Sequence, residues 1–98
     1  MRIDVIAEDA PIAAASRAYA EFRLFSTLAR HTRAIRSVRV ILEHGGIDRE
    51  TCVVEVALDP SGSARARGHA RHACGAIDRA AERIGQLMNR KAASGRSS

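Results

Sequence analysis

The chain has 98 residues, of which 46% are hydrophobic, and a formal net charge of +5 from sixteen basic and eleven acidic residues. This length predicts one small domain with a modest core, and no apolar run approaches the ~18 residues of a membrane span. The N-terminal segment is too short and too acidic for a signal peptide. Two cysteines, Cys52 and Cys74, form neither a disulfide framework nor a CxxC motif, which favours the reducing cytoplasm.

The first third of the chain predicts a strand followed by a helix. Residues 2–7 alternate between charged and apolar side chains, which is typical of a half-buried strand. The segment 8–11 (EDAP) offers an acidic cap and a first-turn proline for a helix. Residues 12–30 contain no glycine or proline and should form that helix. Its apolar face is broad, and we expect one of its two phenylalanines, Phe22 or Phe25, to be partly exposed.

Three further strands are predicted. Residues 35–43 and 51–58 both place apolar side chains, mainly valines, at every second position, and the segment HGGIDR between them predicts a flexible hairpin loop. The sequence DPSG is then typical of a β-turn. In the fourth strand, residues 64–70, alanine and glycine face one side, while Arg65 and Arg67 face the other.

The last predicted element is an amphipathic helix over residues 72–90. An apolar stripe that includes Ile77 and Ile84 separates two polar flanks at 100° per residue. One flank is basic and one is acidic, so the helix is sorted by charge. The basic flank consists of Arg79, Arg83 and Arg90, and the acidic flank includes Asp78 and Glu82. Residues 92–98 are small and polar and are expected to form a disordered tail.

The order β-α-β-β-β-α predicts an α+β two-layer sandwich. Strands joined through a helix should be parallel with a right-handed crossover, and strands joined by tight turns should be antiparallel. We therefore expect a four-stranded mixed sheet with both helices on one face and the other face open, a dsRBD-like arrangement. The domain should span residues 1–91.

Arginine is the dominant basic residue, since fifteen of the sixteen basic side chains are arginine. Guanidinium binds phosphate bidentately, so arginines clustered on the last strand and last helix indicate a nucleic-acid partner. The three aromatic residues all fall in the first helix, which argues against a sheet that stacks bases. We expect recognition of RNA backbone and shape.

No catalytic or metal site is predicted. His69, His72 and Cys74 lack a fourth ligand for zinc, and Asp78 with Glu82 has no accompanying nucleophile or pocket. The pair Gly45-Gly46 is not followed by the GK[ST] of a phosphate-binding loop. We expect no enzyme activity, no cofactor and no small-molecule substrate.

Several local patterns occur in a shared order along nearly the whole chain. They are Met1-Arg2-Ile3-Asp4-Val5 in the first strand, Ile12, Arg17 and Tyr19 in the first helix, Ile35, Val38 and Val40 in the second strand, and Ala76-Ile77-Asp78 followed by Arg83-Ile84 and Leu87 in the last helix. Together they resemble the family of ribosome hibernation-promoting factors and ribosome-associated inhibitors (sigma-54 modulation protein, S30EA type), in its short single-domain form.

The resemblance implies a function in the cytoplasm during stress. In this family the domain occupies the mRNA and tRNA channel of the small ribosomal subunit, and basic residues of the fourth strand and of the helices meet rRNA phosphates. Occlusion of the channel inhibits translation and keeps idle ribosomes silent. The RNA-binding residues that the resemblance implies here are Arg65, Arg67, Arg71, Arg79, Arg83 and Arg90.

Two alternatives remain at the level of sequence. The first is a homo-oligomeric interaction module of the same fold without ribosome binding, a possible homodimer formed through Ile41 and Val53 on the open sheet face beside Phe22 or Phe25. The second is a binder of double-stranded RNA. The first strand and its crossover to the second strand argue against this alternative.

Overall fold

The structure, a computed structural model, describes residues 1–7 and 12–96. Its elements are, in chain order, β1 (Ile3–Ala7), α1 (Ala14–Leu28), a 3₁₀ helix (Ala29–Ala34), β2 (Ile35–His44), β3 (Glu50–Leu58), β4 (Ser63–Ala70) and α2 (Ala73–Arg96). The predicted order β-α-β-β-β-α is confirmed. The helix start predicted at residues 8–11 lies outside the described residues.

The four strands form one mixed sheet in the order β1-β2-β3-β4. Strands β1 and β2 are parallel, whereas β2, β3 and β4 are joined in antiparallel pairs. The parallel pair requires a crossover connection, and α1 supplies it. The outer strands are therefore β1 at one edge and β4 at the other.

Alternation along the strands determines the core. Val38 and Val40 of β2 lie opposite Val56 and Val54 of β3, and all four are almost completely buried. Burial of one such side chain contributes about 1.5–3 kcal/mol. The helices supply the other half of this layer, with Leu24 and Leu28 from α1 and Ile77 and Ile84 from α2. The predicted two-layer sandwich, with both helices on one sheet face, is confirmed.

The opposite, helix-free face carries an apolar row between charged residues. In register across the sheet, Ile6, Ile41, Val53 and Arg67 lie side by side. Val53 is fully buried although it does not belong to the core beneath the helices. Its neighbours in register are Ile41 and Arg67, and the long stem of an arginine can cover apolar surface in this way. The expectation that Val53 offers an exposed contact for a second copy is therefore wrong.

Helix α1 differs from its prediction in two ways. It ends at Leu28, and the chain continues as a 3₁₀ helix in which Thr32 Oγ1 donates to the main-chain oxygen of Ala29 at 2.6 Å. In addition, both phenylalanines are exposed, Phe22 by 69% and Phe25 by 57%, where one was expected to be. The helix is rotated so that Leu24 and Leu28 face the sheet, which leaves the phenylalanines at the outer side.

Helix α2 ends later than predicted, at Arg96 rather than near Arg90. Lysine and alanine at positions 91–93 are good helix formers, so no local signal ends the helix there. The division of the chain into a domain of residues 1–91 and a tail stays a prediction. No helix within residues 1–7 and 12–96 is long and apolar enough to cross a membrane.

Candidate nucleic-acid interface

The two arginines of β4 lie on the helix-free face, as the alternation predicts. Arg65 is directly opposite Glu55 of β3, with 3.7 Å between Nε and a carboxylate oxygen, and both side chains are substantially exposed. Such an exposed pair contributes little to stability and leaves the guanidinium available. Arg67 is exposed and lies opposite Val53, so its cross-strand neighbour carries no charge.

Two arginines of α2 reach over the outer edge of β4. Nη1 of Arg79 donates to the main-chain oxygen of His69 at 2.8 Å, and Nη1 of Arg83 donates to the main-chain oxygen of Arg67 at 2.6 Å. Because β4 is an outer strand, these oxygens have no neighbouring strand to bond. The two side chains therefore satisfy a free sheet edge and are held in place by it.

A close approach between α2 and β4 makes this reach possible. A Cβ added to Gly68 would lie 2.5 Å from the main-chain oxygen of Ala76 and from the nitrogen of Ala80. The residues on either side of Gly68 on the core face of β4 are alanines. Small side chains on both elements bring the helix axis close to the strand, so that side chains on its flank extend past the strand edge.

Three arginines thus belong to the outer edge of β4, Arg79 and Arg83 through bonds to its main-chain oxygens and Arg67 through its position in the strand. We call Arg67, Arg79 and Arg83 the edge arginines. Each guanidinium has five N–H donors, and the main-chain oxygens of β4 take one from Arg79 and one from Arg83. Among the described side chains, no carboxylate lies within salt-bridge distance of these three arginines. The remaining donors can therefore bind an anion that approaches from solvent.

The other three predicted contact residues flank the edge arginines. Arg65 continues the β4 row, and Arg90 lies two helical turns beyond Arg83, about 10 Å along α2. Arg71 extends the other way, toward the β2–β3 loop, where its Nη2 lies 3.9 Å from a carboxylate oxygen of Asp48. All six arginines thus belong to β4, to its junction with α2 or to the basic flank of α2, with Arg65 and Arg67 on the helix-free face and Arg79 and Arg83 at the strand edge.

A groove lies beside Arg71. It has a volume of about 590 Å³ and runs between the β2–β3 loop and the junction of β4 with α2. His69, which lines it, bonds Oγ1 of Thr51 through Nδ1 at 3.0 Å. The residues that line the groove are Gly45, Asp48, Arg49, Glu50, Thr51, His69, Ala70, Arg71 and Arg79.

The acidic flank of α2 faces α1. Oδ1 of Asp78 accepts hydrogen bonds from the hydroxyl of Tyr19 and, at 3.1 Å, from Nε of Arg23. The bond to Asp78 is the main reason why the pKa of Tyr19 lies above its ordinary value. Asp78 therefore joins the two helices, and its charge is directed away from the edge arginines.

Two further arginines have structural roles that the sequence did not indicate. Nη1 of Arg17 donates to the main-chain oxygen of Val5 at 2.9 Å, which fixes α1 to β1. Arg23 bonds both Asp78 and, at 2.9 Å, Oγ1 of Thr27. The patterns that carried the family resemblance, Arg17 with Tyr19 and the Asp78 of the last helix, are thus the contacts that position α1. Tyr19 and Asp78 are 59 residues apart, so no local sequence pattern predicts that they bond each other.

The cysteines take no part in the interface. Cys52 is fully buried in the core, and burial raises the pKa of its thiol to about 12. Cys74 is exposed near the start of α2. In the part of the chain that the structure describes, no three side chains of histidine, cysteine, aspartate or glutamate converge as metal ligands would.

Comparisons with known proteins agree with this architecture. The family model described as "Sigma 54 modulation protein / S30EA ribosomal protein" matches residues 3–93. A search of curated proteins gave no match. The chain is similar to a ribosomal subunit interface protein from Coxiella burnetii, with a TM-score of 0.84 and 16% identity over 95% of this chain and 99% of that one.

A second solved structure is also similar. It is the N-terminal domain of Protein Y from Thermus thermophilus, with a TM-score of 0.78 and 27% identity over 92% of this chain and 98% of that one. The resemblance inferred from the strand and helix patterns is confirmed by the family model, which matches residues 3–93. The chain belongs to the Sigma 54 modulation protein / S30EA ribosomal protein family.

Proposed function

We propose that this chain is a ribosome-associated factor that binds rRNA in the mRNA and tRNA channel of the small subunit and inhibits translation by occupying that channel. Family membership supports association with the ribosome and hence a place in the cytoplasm. The observation that carries the RNA contact is the pair of bonds that hold Arg79 and Arg83 at the edge of β4, beside Arg67, with no carboxylate partner for these three arginines among the described residues.

The mechanism requires positioning and no chemistry. Arginine binds phosphate bidentately, and binding releases counterions condensed on the RNA, so affinity depends on salt. Because Nη1 of Arg79 and of Arg83 is already bonded to the strand, each side chain has lost part of its rotamer freedom, which lowers the entropy lost when a phosphate binds. The strands carry no phenylalanine, tyrosine or tryptophan to stack on bases, so we expect recognition of backbone and shape. A preformed domain in the channel then excludes mRNA and tRNA sterically.

The first experiment measures binding to purified small subunits by co-sedimentation over a range of salt concentrations. The variant Arg79→Gln/Arg83→Gln removes two charges but keeps amide donors at both positions. If each arginine neutralises one phosphate, the slope of log K against log salt concentration becomes shallower by about 1.4–1.8. Weaker binding should accompany the shallower slope.

A matched control changes the same charge elsewhere. Arg30→Gln/Arg33→Gln removes two arginines of the 3₁₀ helix, which lies beside α1, β2 and the Asn89 turn of α2 and not at the outer edge of β4, and should leave the slope near that of the wild type. Circular dichroism of each variant checks that it is folded. An unchanged slope in the Arg79/Arg83 variant, with the protein folded, would place the RNA contact on another surface.

A second experiment tests the location in the channel. Small subunits are saturated with a short unstructured mRNA and its cognate tRNA before the protein is added. Occlusion predicts that prebound mRNA and tRNA reduce binding of the wild-type chain and that excess chain releases labelled mRNA. Simultaneous binding of mRNA, tRNA and this chain to one small subunit would contradict occlusion, but it would not contradict the contact with rRNA.

A further inference from the structure

Among residues 1–7 and 12–96, no strand pairs with the outer edge of β1. The main-chain nitrogen of Val38 donates to the oxygen of Arg2 at 2.9 Å, so the even-numbered residues of β1 bond β2. Because bonding direction alternates along a strand, Ile3 and Val5 direct their N–H and C=O groups away from the sheet. Arg17 already occupies the oxygen of Val5. Of the side chains that the structure describes, it alone bonds this edge, which leaves the main chain at Ile3 available for another strand.

Exposed apolar side chains border this edge in both layers. Phe22 and Phe25 of α1 are exposed by 69% and 57%, and Ile6 on the helix-free face is exposed by 41%. The two phenylalanines, with Met1, Ile3 and Glu21, line a groove of about 410 Å³ beside β1. A free strand edge beside exposed aromatic rings is the kind of surface to which an added strand binds.

We propose that a second copy of this chain occupies the surface, with the two β1 strands antiparallel and related by a two-fold axis at Ile3. In this register Ile3 lies opposite Ile3 of the second copy, and Arg2 lies opposite Asp4 of the second copy. The same pairing occurs again on the other side of the axis, as a two-fold interface requires. The alternating charges of β1 are therefore complementary to themselves, which favours a second copy as the occupant.

The two-fold axis also brings the exposed phenylalanines together. An axis perpendicular to the sheet keeps both α1 helices on the same face of the enlarged, eight-stranded sheet. Phe22 and Phe25 of both copies then flank the two Ile3 side chains and cover apolar surface that water contacts in the single chain. The Arg17 bond to Val5 limits the pairing to the first residues of β1, because that oxygen is already satisfied. The edge arginines lie at the far side of the sheet, so the proposal is independent of RNA binding.

Charge exchange tests both the surface and its register. Arg2 and Asp4 are both exposed, and within one chain Nε of Arg2 lies 3.4 Å from Oδ1 of Asp4. Arg2→Asp alone places aspartate opposite Asp4 of the second copy, and Asp4→Arg alone places two arginines opposite each other. Either change should weaken dimerisation roughly tenfold or more, because two symmetric pairs turn from attraction to repulsion. The double variant Arg2→Asp/Asp4→Arg restores opposite charges and should restore dimerisation.

The measurement is sedimentation velocity over a range of protein concentrations in 0.15 M salt, with any purification tag at the C-terminus. A further variant, Phe22→Ser/Phe25→Ser, should also be monomeric, and circular dichroism confirms that it is folded. A wild-type chain that stays monomeric at several hundred micromolar would overturn the proposal. A dimer that persists equally in both single charge variants would overturn it too, because its interface would then lie elsewhere.

Discussion

Gly68 is the position at which the packing of the two layers and the geometry of the interface depend on one another. In Gly68→Ala the new Cβ would lie 2.5 Å from Ala76 O and Ala80 N, whereas a carbon and an oxygen ordinarily stay about 3.3 Å apart. Main-chain atoms of a helix cannot move aside individually. Helix α2 must therefore retreat from β4 by roughly 0.8 Å at this point.

The size of the effect follows from three contributions. Overpacking by a methyl group costs about 1–3 kcal/mol, and weakening the Arg79 and Arg83 bonds to β4 costs up to about 1 kcal/mol each. Alanine in place of glycine returns about 0.5–1 kcal/mol by restricting the unfolded chain. We expect the free energy of unfolding to fall by about 2 kcal/mol, out of the roughly 5–15 kcal/mol typical of a domain of this size. The melting temperature should fall by about 8–16 °C.

Urea unfolding followed by circular dichroism measures this change. Gly45→Ala is the matched control, because its Cβ would meet Arg49 at an ordinary contact distance of 3.4 Å, and it should change stability by less than about 0.5 kcal/mol. The folded Gly68→Ala protein should also bind small subunits more weakly, although its charge is unchanged. A Gly68→Ala variant as stable as the Gly45→Ala control would show that α2 does not approach β4 so closely.

Two further predictions concern the core and the helix pair. Native protein should react with one equivalent of a thiol reagent, at exposed Cys74, and unfolded protein should react with two. Burial raises the pKa of the Cys52 thiol to about 12 from 9.0, so the native state keeps this proton at pH values where the unfolded state has lost it. The free energy of unfolding should therefore fall as pH rises from about 9 toward 12. A Cys52→Ala variant should lack that component, and an equal alkaline loss in both proteins would refute the assignment. Tyr19→Phe should lower the urea midpoint, and its effect should largely disappear in an Asp78→Ala background, because both changes remove the same hydrogen bond. Additive losses would show that the two side chains act separately.

Local sequence patterns predicted most of the fold because strands and helices have fixed periods. The alternation of Val38, Val40, Val54 and Val56 placed β2 and β3 within one residue of their observed bounds. The rotation of α1 was less accessible, since its apolar face is broad and its orientation depends on bonds from Tyr19 and other side chains to Asp78 on the distant α2. Periodicity within one helix contains no information about such a partner.

The candidate interface divides in the same way. Alternation in β4 and spacing in α2 predicted that Arg67 and Arg83 project from two neighbouring elements. Their meeting at the strand edge was not predictable, because it depends on the distance between α2 and β4, which Gly68 determines. The bond from Arg83 to the main-chain oxygen of Arg67 also changes the interpretation of the Arg83 side chain. Arg83 is a structural contact of β4 as well as a proposed contact of RNA.

The burial of Val53 on the helix-free face affects how strongly its neighbour Arg67 attracts an anion. Two unit charges 4 Å apart interact with about 1 kcal/mol in bulk water but about 4 kcal/mol at an effective dielectric constant of 20, typical of a protein surface. Val53 is the cross-strand neighbour of Arg67, and its complete burial shows that water is excluded beside the Arg67 stem. Arg67 thus stands on a surface of low polarisability, and a phosphate that reaches it experiences a stronger field than it would beside an arginine on a fully hydrated loop.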